Sequence, residues 1–386
     1  MLLNHNLDFK MELKISTLES PKNRITFSEE FRLESGDILP QVTVAYETYG
    51  KSNNTGTNAI LICHALTGDA HASDYHYNGN GRSTDTVSSK QKGWWNELIG
   101  TGKAFDPSSH FIVCSNILGG CYGTTGPTSI NPITGKKYGA DFPQITVRDM
   151  VNLQHKLLTS LGVNKLEIVT GGSFGGMQVL EWALMFPDYV ERIVPIATSA
   201  QHSAWCIGLN EAARKAITDD PLWENGNYIS QPGAGLSTAR MIAMISYRSA
   251  ESFNKKFGRA ISRNESLACT NSDSKFQVES YLRYQGEKLV NRFDANTYLC
   301  ITRAMDSHDV ARGRGLLREV LEKIKAKTLC IGINSDILYP ASEQKQIAAL
   351  IPNAKYFEID SIHGHDAFLI EFEQMNKAIA NFLTSD

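Results

Sequence analysis

The sequence lacks the features of a secreted, membrane-bound or nucleic-acid-binding protein. Its first residues, 1–14, contain no apolar stretch followed by a small-residue cleavage site, so we expect no signal peptide. The most apolar runs, 59–63 and 328–333, are far shorter than the roughly 20 residues that a membrane helix needs. A formal net charge of −3 provides no basic surface for nucleic acid or for an anionic membrane. We therefore expect small-molecule partners.

Paired cysteines are missing as well. The chain has seven cysteines, an odd number, and they are scattered without a C-x-x-C pair. They are Cys63, Cys114, Cys121, Cys206, Cys269, Cys300 and Cys330. This pattern predicts reduced thiols in a cytoplasmic protein.

The sequence does contain the alternation of strands and helices that is typical of a parallel sheet. A length of 386 residues favours either one large α/β domain with an insertion or two domains. Apolar patterns predict strands at 41–49, 59–63, 111–114, 166–170 and 192–196, and helices at 146–161 and 175–186.

The middle of the chain has a different pattern. Helical segments and polar loops occupy about 201–322, and strand character returns only at 328–333 and 355–359, followed by a helix from about 366 to 383. We therefore predict a discontinuous core domain, residues 1–200 and 323–386, with a helical lid, residues 201–322, inserted over its sheet.

The strongest local motif is Gly-Gly-Ser-Phe-Gly at residues 171–175, between a predicted strand and a predicted helix. This is the sequence of a nucleophile elbow, a sharp turn that presents its serine, here Ser173, to a cleft. Small residues at Gly171 and Gly175 would avoid collisions with the adjoining strand and helix. The alternative interpretation is a glycine-rich turn with an incidental serine.

A serine hydroxyl needs a base to accept its proton and an acid to orient that base. Asp336 follows a predicted strand, where a carboxylate can point along the sheet edge; the alternative is that it caps a turn. His365 is our choice of base, and His363 is the second candidate. A metal site is disfavoured, because H-x-H supplies only two ligands and no third is evident.

Acyl transfer also needs two donors for the oxyanion. We predict the main-chain N–H groups of Phe174, directly after the nucleophile, and of Leu66, in the loop 64–68 after an early strand. His64, His71 and His76 lie nearby, but satisfied loop or core histidines are the favoured interpretation, since the sequence shows no acid partner for them.

The glycine-rich segment that contains Cys121 predicts a loop at the mouth of the site. The spacing of Gly120, Gly123 and Gly126 matches neither G-x-G-x-x-G nor a P-loop. Cys121 also lacks the elbow that presents Ser173, so we do not assign it as a nucleophile.

Five separated segments give the chain a resemblance to homoserine O-acetyltransferases, from about Phe31 to the C-terminus. These segments are 64–71, 119–127, 138–143, 172–178 and 364–369. The resemblance implies an α/β-hydrolase fold, with a mostly parallel central sheet, flanking helices and an inserted helical lid. It also implies a catalytic triad of Ser173, Asp336 and His365.

The resemblance further implies two residues that hold the amino-acid head group of homoserine. Asp366 would pair with the α-ammonium, and an arginine would take the α-carboxylate in a bidentate pair. We choose Arg240 over Arg248. The alternatives are an N-cap of the last helix for Asp366, and a solvated or salt-bridged helix arginine for Arg240.

The implied reaction is acetyl transfer from acetyl-CoA, a co-substrate, to homoserine in methionine biosynthesis, with no permanently bound cofactor and no metal. At Thr67 the chain resembles the family members that use acetyl-CoA, because those that use succinyl-CoA usually have Ser at this position. A homoserine succinyltransferase or a serine acyltransferase of the same family is the alternative. An esterase is a more remote alternative, and a non-enzymatic binding module is the least favoured. The family usually forms homodimers through the lid helices.

Overall fold

The computed structural model describes residues 23–75, 92–261 and 276–384, in which strands alternate with helices. The strands are β1 (Asn23–Phe27), β2 (Phe31–Arg32), β3 (Ile38–Leu39), β4 (Val42–Tyr49), β5 (Ala59–Cys63), β6 (Phe111–Ser115), β7 (Leu166–Gly172), β8 (Val190–Ile196), β9 (Lys327–Ile333) and β10 (Lys355–Ile359). The helices are α1 (Val147–Ser160), α2 (Phe174–Met185), α3 (Ala204–Thr218), α4 (Gly233–Tyr247), α5 (Ala250–Phe257), α6 (Gln277–Val290), α7 (Ala295–Asp306), α8 (Leu317–Leu321), α9 (Ala341–Leu350) and α10 (Phe372–Thr384).

Eight strands form one sheet in the order β1-β4-β6-β5-β7-β8-β9-β10. The six strands from β6 to β10 in this order are parallel, and β4 pairs antiparallel with both β6 and β1 at one edge. The predicted mostly parallel α/β fold is confirmed. Because the strands are parallel, the loops after β5, β6, β7 and β9 all leave the same edge of the sheet, where ligands bind in such folds.

Each face of the sheet is covered by its own apolar cluster. In β5, Ile60 and Ile62 pack into one cluster, whereas Leu61 and Cys63 pack into the other, and all four side chains are fully buried. A strand buried on both faces reads as a continuous apolar run, which is why the sequence predicts the central strands correctly.

The helices α3 to α8 are inserted between β8 and β9. This agrees with an inserted helical segment, and the limits at residues 201 and 322 remain a prediction. Among the helices of the described residues, none combines the length and the hydropathy that a bilayer span requires.

The end of the chain differs from the sequence prediction of one helix over 366–383. A 3₁₀ turn, Gly364–Leu369, comes first, and α10 begins only at Phe372. The tight turn buries His365, Ala367 and Phe368 beside the sheet, and a continuous α-helix would rotate these side chains differently. Asp366 therefore does not cap α10, and the N-cap interpretation is wrong.

A buried ion network joins the sheet-covering helices to the segment after α7. Glu181 of α2 has a side chain that is only 2% exposed, and it pairs with Arg148 of α1 at 3.1 Å and with Arg314 at 2.7 Å. Arg148 and Arg312 also pair with Glu34, each at 2.9 Å. Removing Glu181 would leave Arg314 without this carboxylate and Arg148 with Glu34 as its remaining acidic partner.

We expect Glu181→Ala to lower the free energy of unfolding by about 3–5 kcal/mol, because two guanidinium groups lose their buried carboxylate. Urea unfolding followed by circular dichroism measures this. The matched control is Asp188→Ala, whose side chain is 86% exposed and pairs with Lys325; its expected cost is below about 1 kcal/mol. Equal losses in the two variants would contradict the assignment.

Candidate active site

The turn between β7 and α2 is a strained elbow with Ser173 at its apex. Ser173 has φ of 59° and ψ of −123°, a conformation that costs a residue with a side chain about 1–3 kcal/mol. Its N–H donates to the carbonyl of Ile196 at 2.9 Å, which ties the turn to β8. This geometry is that of a nucleophile elbow.

The glycines of the elbow are required by a close approach to β5. A Cβ atom at Gly171 would lie 2.5 Å from the carbonyl oxygen of Cys63, and one at Gly175 would lie 2.1 Å from the same oxygen. A Cβ at Gly171 would also lie 2.8 Å from the main chain of Gly175. The predicted collisions with strand and helix are thus both present, and the interpretation as an incidental glycine-rich turn loses its basis.

Asp336 and His365 come together although 29 residues separate them. His365 Nδ1 lies 2.7 Å from Asp336 Oδ2, and Asp336 Oδ1 accepts the N–H groups of Leu338 at 2.8 Å and Tyr339 at 3.0 Å. Because an ionised carboxylate only accepts, Nδ1 carries the proton and Nε2 is left as the basic atom. Asp336 is therefore more than the cap of a turn.

The basic atom of His365 has the surroundings that a general base needs. Nε2 is buried and has no hydrogen-bond partner in the described residues. The 3₁₀ turn packs on the elbow, since a Cβ at Gly172 would lie 2.5 Å from the ring of Phe368. A hydrogen bond from the Ser173 hydroxyl to Nε2 stays a prediction.

The second histidine candidate has another neighbour. His363 Nδ1 lies 3.4 Å from a guanidinium nitrogen of Arg248. The carboxylate that it would need as an orienting acid is instead bonded to His365. The structure therefore favours His365 over His363 as the base.

Aromatic rings surround the imidazole of His365, and the sequence analysis did not anticipate them. The ring centroids of Tyr339, Phe368 and Tyr247 lie 5.2, 5.4 and 5.7 Å from that of His365. Tyr247, the last residue of α4, comes from the inserted helices, and burial raises its pKa. Tyrosines in such segments look like ordinary core residues, so no signal in the sequence identifies them.

The loop after β5 is held by His64. The N–H of Ile117 donates to His64 Nε2 at 3.3 Å, so this nitrogen must be an acceptor and Nδ1 must carry the proton. Nδ1 then donates to the carbonyl of Ala65 at 2.8 Å. Burial lowers the pKa of His64, which favours this neutral form. His64 is thus the satisfied histidine that we expected.

The same carbonyl sets the direction of the predicted oxyanion donor. Ala65 O also accepts the N–H of Gly68 at 2.9 Å, which closes a tight turn around Leu66. In a planar trans peptide, the carbonyl of Ala65 and the N–H of Leu66 point in opposite directions. Two donors on the oxygen therefore fix the orientation of the Leu66 N–H, whose role stays a prediction.

Gln178 links the two segments that carry the predicted oxyanion donors. Its side-chain amide lies 3.4 Å from the carbonyl of His64 and 3.3 Å from the carbonyl of Phe174. Gln154 donates to Gln178 Oε1 at 2.8 Å and accepts from Trp182 Nε1 at 2.8 Å. This buried chain of side chains links the loop after β5 to the start of α2, and no motif in the sequence identifies it.

His71 has the acid partners that the sequence did not show. Its Nδ1 lies 3.0 Å from Glu47, and its Nε2 lies 3.1 Å from Asp74. The hydrogen bond to Glu47, with further carboxylates nearby, raises the pKa of His71 to about 9. With both ring nitrogens paired, His71 fits the favoured interpretation of a satisfied loop histidine. His76 lies outside the described residues.

The two head-group candidates lie beside the triad, but one of them is paired. Asp366 binds Arg248 Nε at 3.2 Å. Burial raises the pKa of Asp366, and the positive charges of Arg248, His365 and Arg240 oppose this rise. Arg240 lies over the ring of Tyr247, 5.5 Å from its centroid. No carboxylate of the described residues lies within 4.0 Å of Arg240, so its guanidinium is available for an anionic ligand.

Cys121 and the arrangement of metal-ligating side chains concern the two other candidate chemistries. Burial raises the pKa of the Cys121 thiol to about 12, which disfavours a thiolate nucleophile. In the described residues, no group of three or more His, Cys, Asp or Glu side chains could hold a metal ion.

Comparisons with known proteins point to one family. Residues 58–372 match the model of the alpha/beta hydrolase fold. The chain is 51% identical over 366 residues to the homoserine O-acetyltransferase of Carboxydothermus hydrogenoformans, covering 93% of this chain and 94% of that protein. It is 49% identical over 372 residues to the homoserine O-acetyltransferase of Chlorobium chlorochromatii, covering 96% and 97%.

Solved structures give the same result and add a related activity. Homoserine O-acetyltransferase from Bacillus anthracis superimposes with a TM-score of 0.86 at 30% identity, covering 94% of this chain and 97% of that one. Esterase E22 superimposes with a TM-score of 0.83 at 30% identity, covering 94% and 99%. The same architecture thus occurs in a transferase and in an esterase.

The raised pKa of His71 predicts a pH-dependent contribution to stability. A pKa raised from 6.5 to about 9 favours folding below pH 6.5, and this contribution is lost as the pH rises through 9. The shift corresponds to about 3 kcal/mol. We therefore expect His71→Gln to destabilise the protein more at pH 6 than at pH 10, as measured by urea unfolding.

His155→Gln is the control for this experiment. Burial lowers the pKa of His155, so its favourable contribution falls as the pH falls, which is the opposite trend. A pH-independent loss in His71→Gln would show that His71 is neutral in the folded protein.

Proposed function

The chain belongs to the homoserine O-acetyltransferase family, and on this premise we propose that it moves the acetyl group of acetyl-CoA to the side-chain hydroxyl of L-homoserine, a step of methionine biosynthesis. Ser173 carries the acetyl group between the two substrates. The observation that supports this most is the buried hydrogen bond between Asp336 and His365 Nδ1, which leaves His365 Nε2 without a partner in the described residues. The turn that carries His365 packs on the elbow.

In the first step, the Ser173 hydroxyl attacks the thioester carbonyl while His365 Nε2 accepts its proton. Asp336 stabilises the imidazolium that forms and keeps its ring oriented. The main-chain N–H groups of Leu66 and Phe174 donate to the oxyanion. The tetrahedral intermediate then collapses, the bond to sulfur breaks, and the leaving thiolate takes the proton from His365.

In the second step, the hydroxyl of homoserine loses its proton to His365 and attacks the acetyl-serine carbonyl. Collapse of the second intermediate releases O-acetylhomoserine, and the proton returns to Ser173. The acyl-enzyme survives until the alcohol arrives only if water is kept out. Burial supports this, because Ser173, Asp336 and His365 are exposed by only 7%, 5% and 3%.

Recognition of homoserine depends on charge. Asp366 would accept the α-ammonium, which can join the existing pair with Arg248, and Arg240 would bind the α-carboxylate through its two parallel N–H groups. Arg240 is favoured over Arg248, because the guanidinium of Arg248 is already bonded to Asp366 and lies beside His363. A head group held by these two residues, which lie beside the triad, would present the side-chain hydroxyl to His365.

The surface of the inserted helices supports a homodimer. Trp205 of α3, Ile245 of α4 and Tyr284 of α6 have exposed fractions of 57%, 54% and 58%. Large exposed apolar side chains are a common feature of subunit interfaces. A cytoplasmic location is part of the same proposal, and the six cysteines of the described residues are all free thiols.

An esterase is the second candidate function, because esterase E22 shares this architecture. The two functions differ in the acceptor of the acetyl group. A hydrolase releases CoA or cleaves an acetyl ester at the same rate with and without homoserine, whereas a transferase needs the alcohol for turnover.

We expect thiol release from acetyl-CoA to depend on homoserine, and Ser173→Ala to lower kcat by about 10⁴- to 10⁶-fold, because the covalent route is lost. Release of thiol is followed by absorbance, and the trapped acyl-enzyme is identified by mass spectrometry. Succinyl-CoA run in parallel separates the two donors. Thiol release at the same rate with and without homoserine would support the esterase. Undiminished activity of Ser173→Ala would exclude both the transferase and the esterase mechanism.

We expect Arg240→Met to raise the KM for homoserine by about 100-fold or more, because a buried bidentate pair with the carboxylate is lost. The KM for acetyl-CoA should change little. Arg318→Met is the control, since that arginine is 73% exposed and its ion pair, at 3.9 Å, is with Glu322 at the end of α8. A larger rise in Arg248→Met than in Arg240→Met would assign the carboxylate to Arg248 instead.

A further inference from the structure

Arg292 reaches from the inserted helices to the loop that carries the predicted oxyanion donor. It lies between α6 and α7. Its Nη1 donates to the carbonyl of Thr67 at 2.7 Å and to the hydroxyl oxygen of Tyr122 at 2.7 Å. Its Nη2 donates to Thr67 Oγ1 at 3.3 Å. One guanidinium group thus bonds twice to the residue that follows Leu66.

The acceptors of Arg292 are neutral, which is unusual for a partly buried arginine. No carboxylate of the residues in the described ranges lies within 4.0 Å of its guanidinium. If the only role of a partner were to balance the charge of Arg292, that partner would be a carboxylate. Instead, the rigid fork of donors matches the carbonyl and hydroxyl of one residue, and such a fork fixes orientation as well as distance.

The second acceptor of Arg292 is itself held in place. The carbonyl of Tyr122 accepts from the side-chain amide of Asn116, and Asn116 Oδ1 accepts the N–H of Ala70 at 2.6 Å. The ring of Tyr122 packs edge-on against Phe293, with centroids 5.9 Å apart. The segment after β6, the loop after β5 and the turn after α6 are therefore joined around Arg292.

The hydrogen bonds of Arg292 add to those that already hold the turn Ala65–Gly68. Ala65 O is held by His64 and by the N–H of Gly68 on one side of Leu66. Thr67 is held by Arg292 on the other side. The Leu66 peptide is thus fixed at both ends, by the sheet domain at one and by the inserted helices at the other.

We propose that Arg292 is a positioning residue that keeps the Leu66 N–H aimed at the oxyanion by holding Thr67. The proposal rests on the proposed function. Arg292 acts through Thr67 and does not touch the reacting atoms. Because the oxyanion exists only in the transition state and the intermediates, loss of Arg292 lowers kcat more than it weakens the binding of homoserine.

The experiment compares Arg292→Met and Arg292→Lys in the full chain. Removing one oxyanion-hole donor outright costs about 10²–10³ in kcat, so a loosened donor should cost about 10- to 100-fold in Arg292→Met. The KM for homoserine should stay within about threefold of the parent. Arg292→Lys keeps the positive charge but has a single donor nitrogen in place of the fork. Its kcat should therefore lie between that of Arg292→Met and that of the parent.

Two further measurements separate positioning from a merely structural role. Active-site titration, by trapping the acetyl-enzyme, corrects kcat for any unfolded fraction, and thermal unfolding compares stability. Guanidinium ion at millimolar concentration should restore part of the kcat of Arg292→Ala. It should not affect Arg283→Ala, a control at an exposed arginine of α6.

Several results would overturn the proposal. It fails if titrated Arg292→Met and Arg292→Lys both turn over like the parent, or if the KM for homoserine rises while kcat is unchanged. If Arg292→Met does not fold, Arg292→Lys decides, and full activity there refutes the need for a fork of donors. Failure of the proposed function looks different, because the parent itself would then show no homoserine-dependent thiol release.

Discussion

The backbone of Ser173 is the constraint on which the rest of the site depends. A positive φ at a residue with a side chain is held only where the surroundings enforce it. Here β7 and α2 approach β5 so closely that Gly171 and Gly175 have no room for a Cβ beside Cys63 O. The same approach brings the loop after β5 to the start of α2, where Gln178 lies near the carbonyls of His64 and Phe174. This packing contact therefore positions the nucleophile and the N–H of Phe174, and it adds to the bonds from His64 and Arg292 that hold the turn of Leu66.

The orientation and tautomer of His365 depend on a carboxylate that the main chain holds in place. Asp336 is oriented by two N–H groups and fixes the imidazole tautomer. Asp366, the residue after His365, is buried, and the positive charges of Arg248 and His365 oppose the rise of its pKa that this burial causes. Arg248 balances part of the negative charge of Asp366 through their ion pair. An ammonium group bound at Asp366, as we propose, would therefore enter a site whose charge Arg248 already balances in part.

The sequence predicts local geometry well and long-range contacts poorly. The elbow, the acid after β9 and the histidine after β10 each follow a strand whose apolar run is visible in the sequence, so their common edge can be inferred. The partners of His71, the pair of Asp366 with Arg248 and the fork of Arg292 cannot, because charged side chains find partners that are distant in the chain. The final helix was predicted to begin too early, since the 3₁₀ turn and α10 share apolar residues at similar spacing.

The inserted helices add charged groups to a predicted triad that would serve a transferase and an esterase alike. The elbow and the pair Asp336–His365 supply what both reactions share, and none of these residues belongs to the insertion. The insertion adds three arginines that lie on different sides of the site. Arg240 lies over Tyr247, Arg248 binds Asp366, and Arg292 binds Thr67. Arg248 and Arg292 bind residues of the loops at the edge of the sheet, so the packing of the inserted helices on the sheet sets where these loops lie. If Arg240 and Asp366 hold the acceptor and Leu66 donates to the oxyanion, as we propose, selectivity for an alcohol over water depends on this packing, because the same helices contact both the acceptor site and the loop of Leu66.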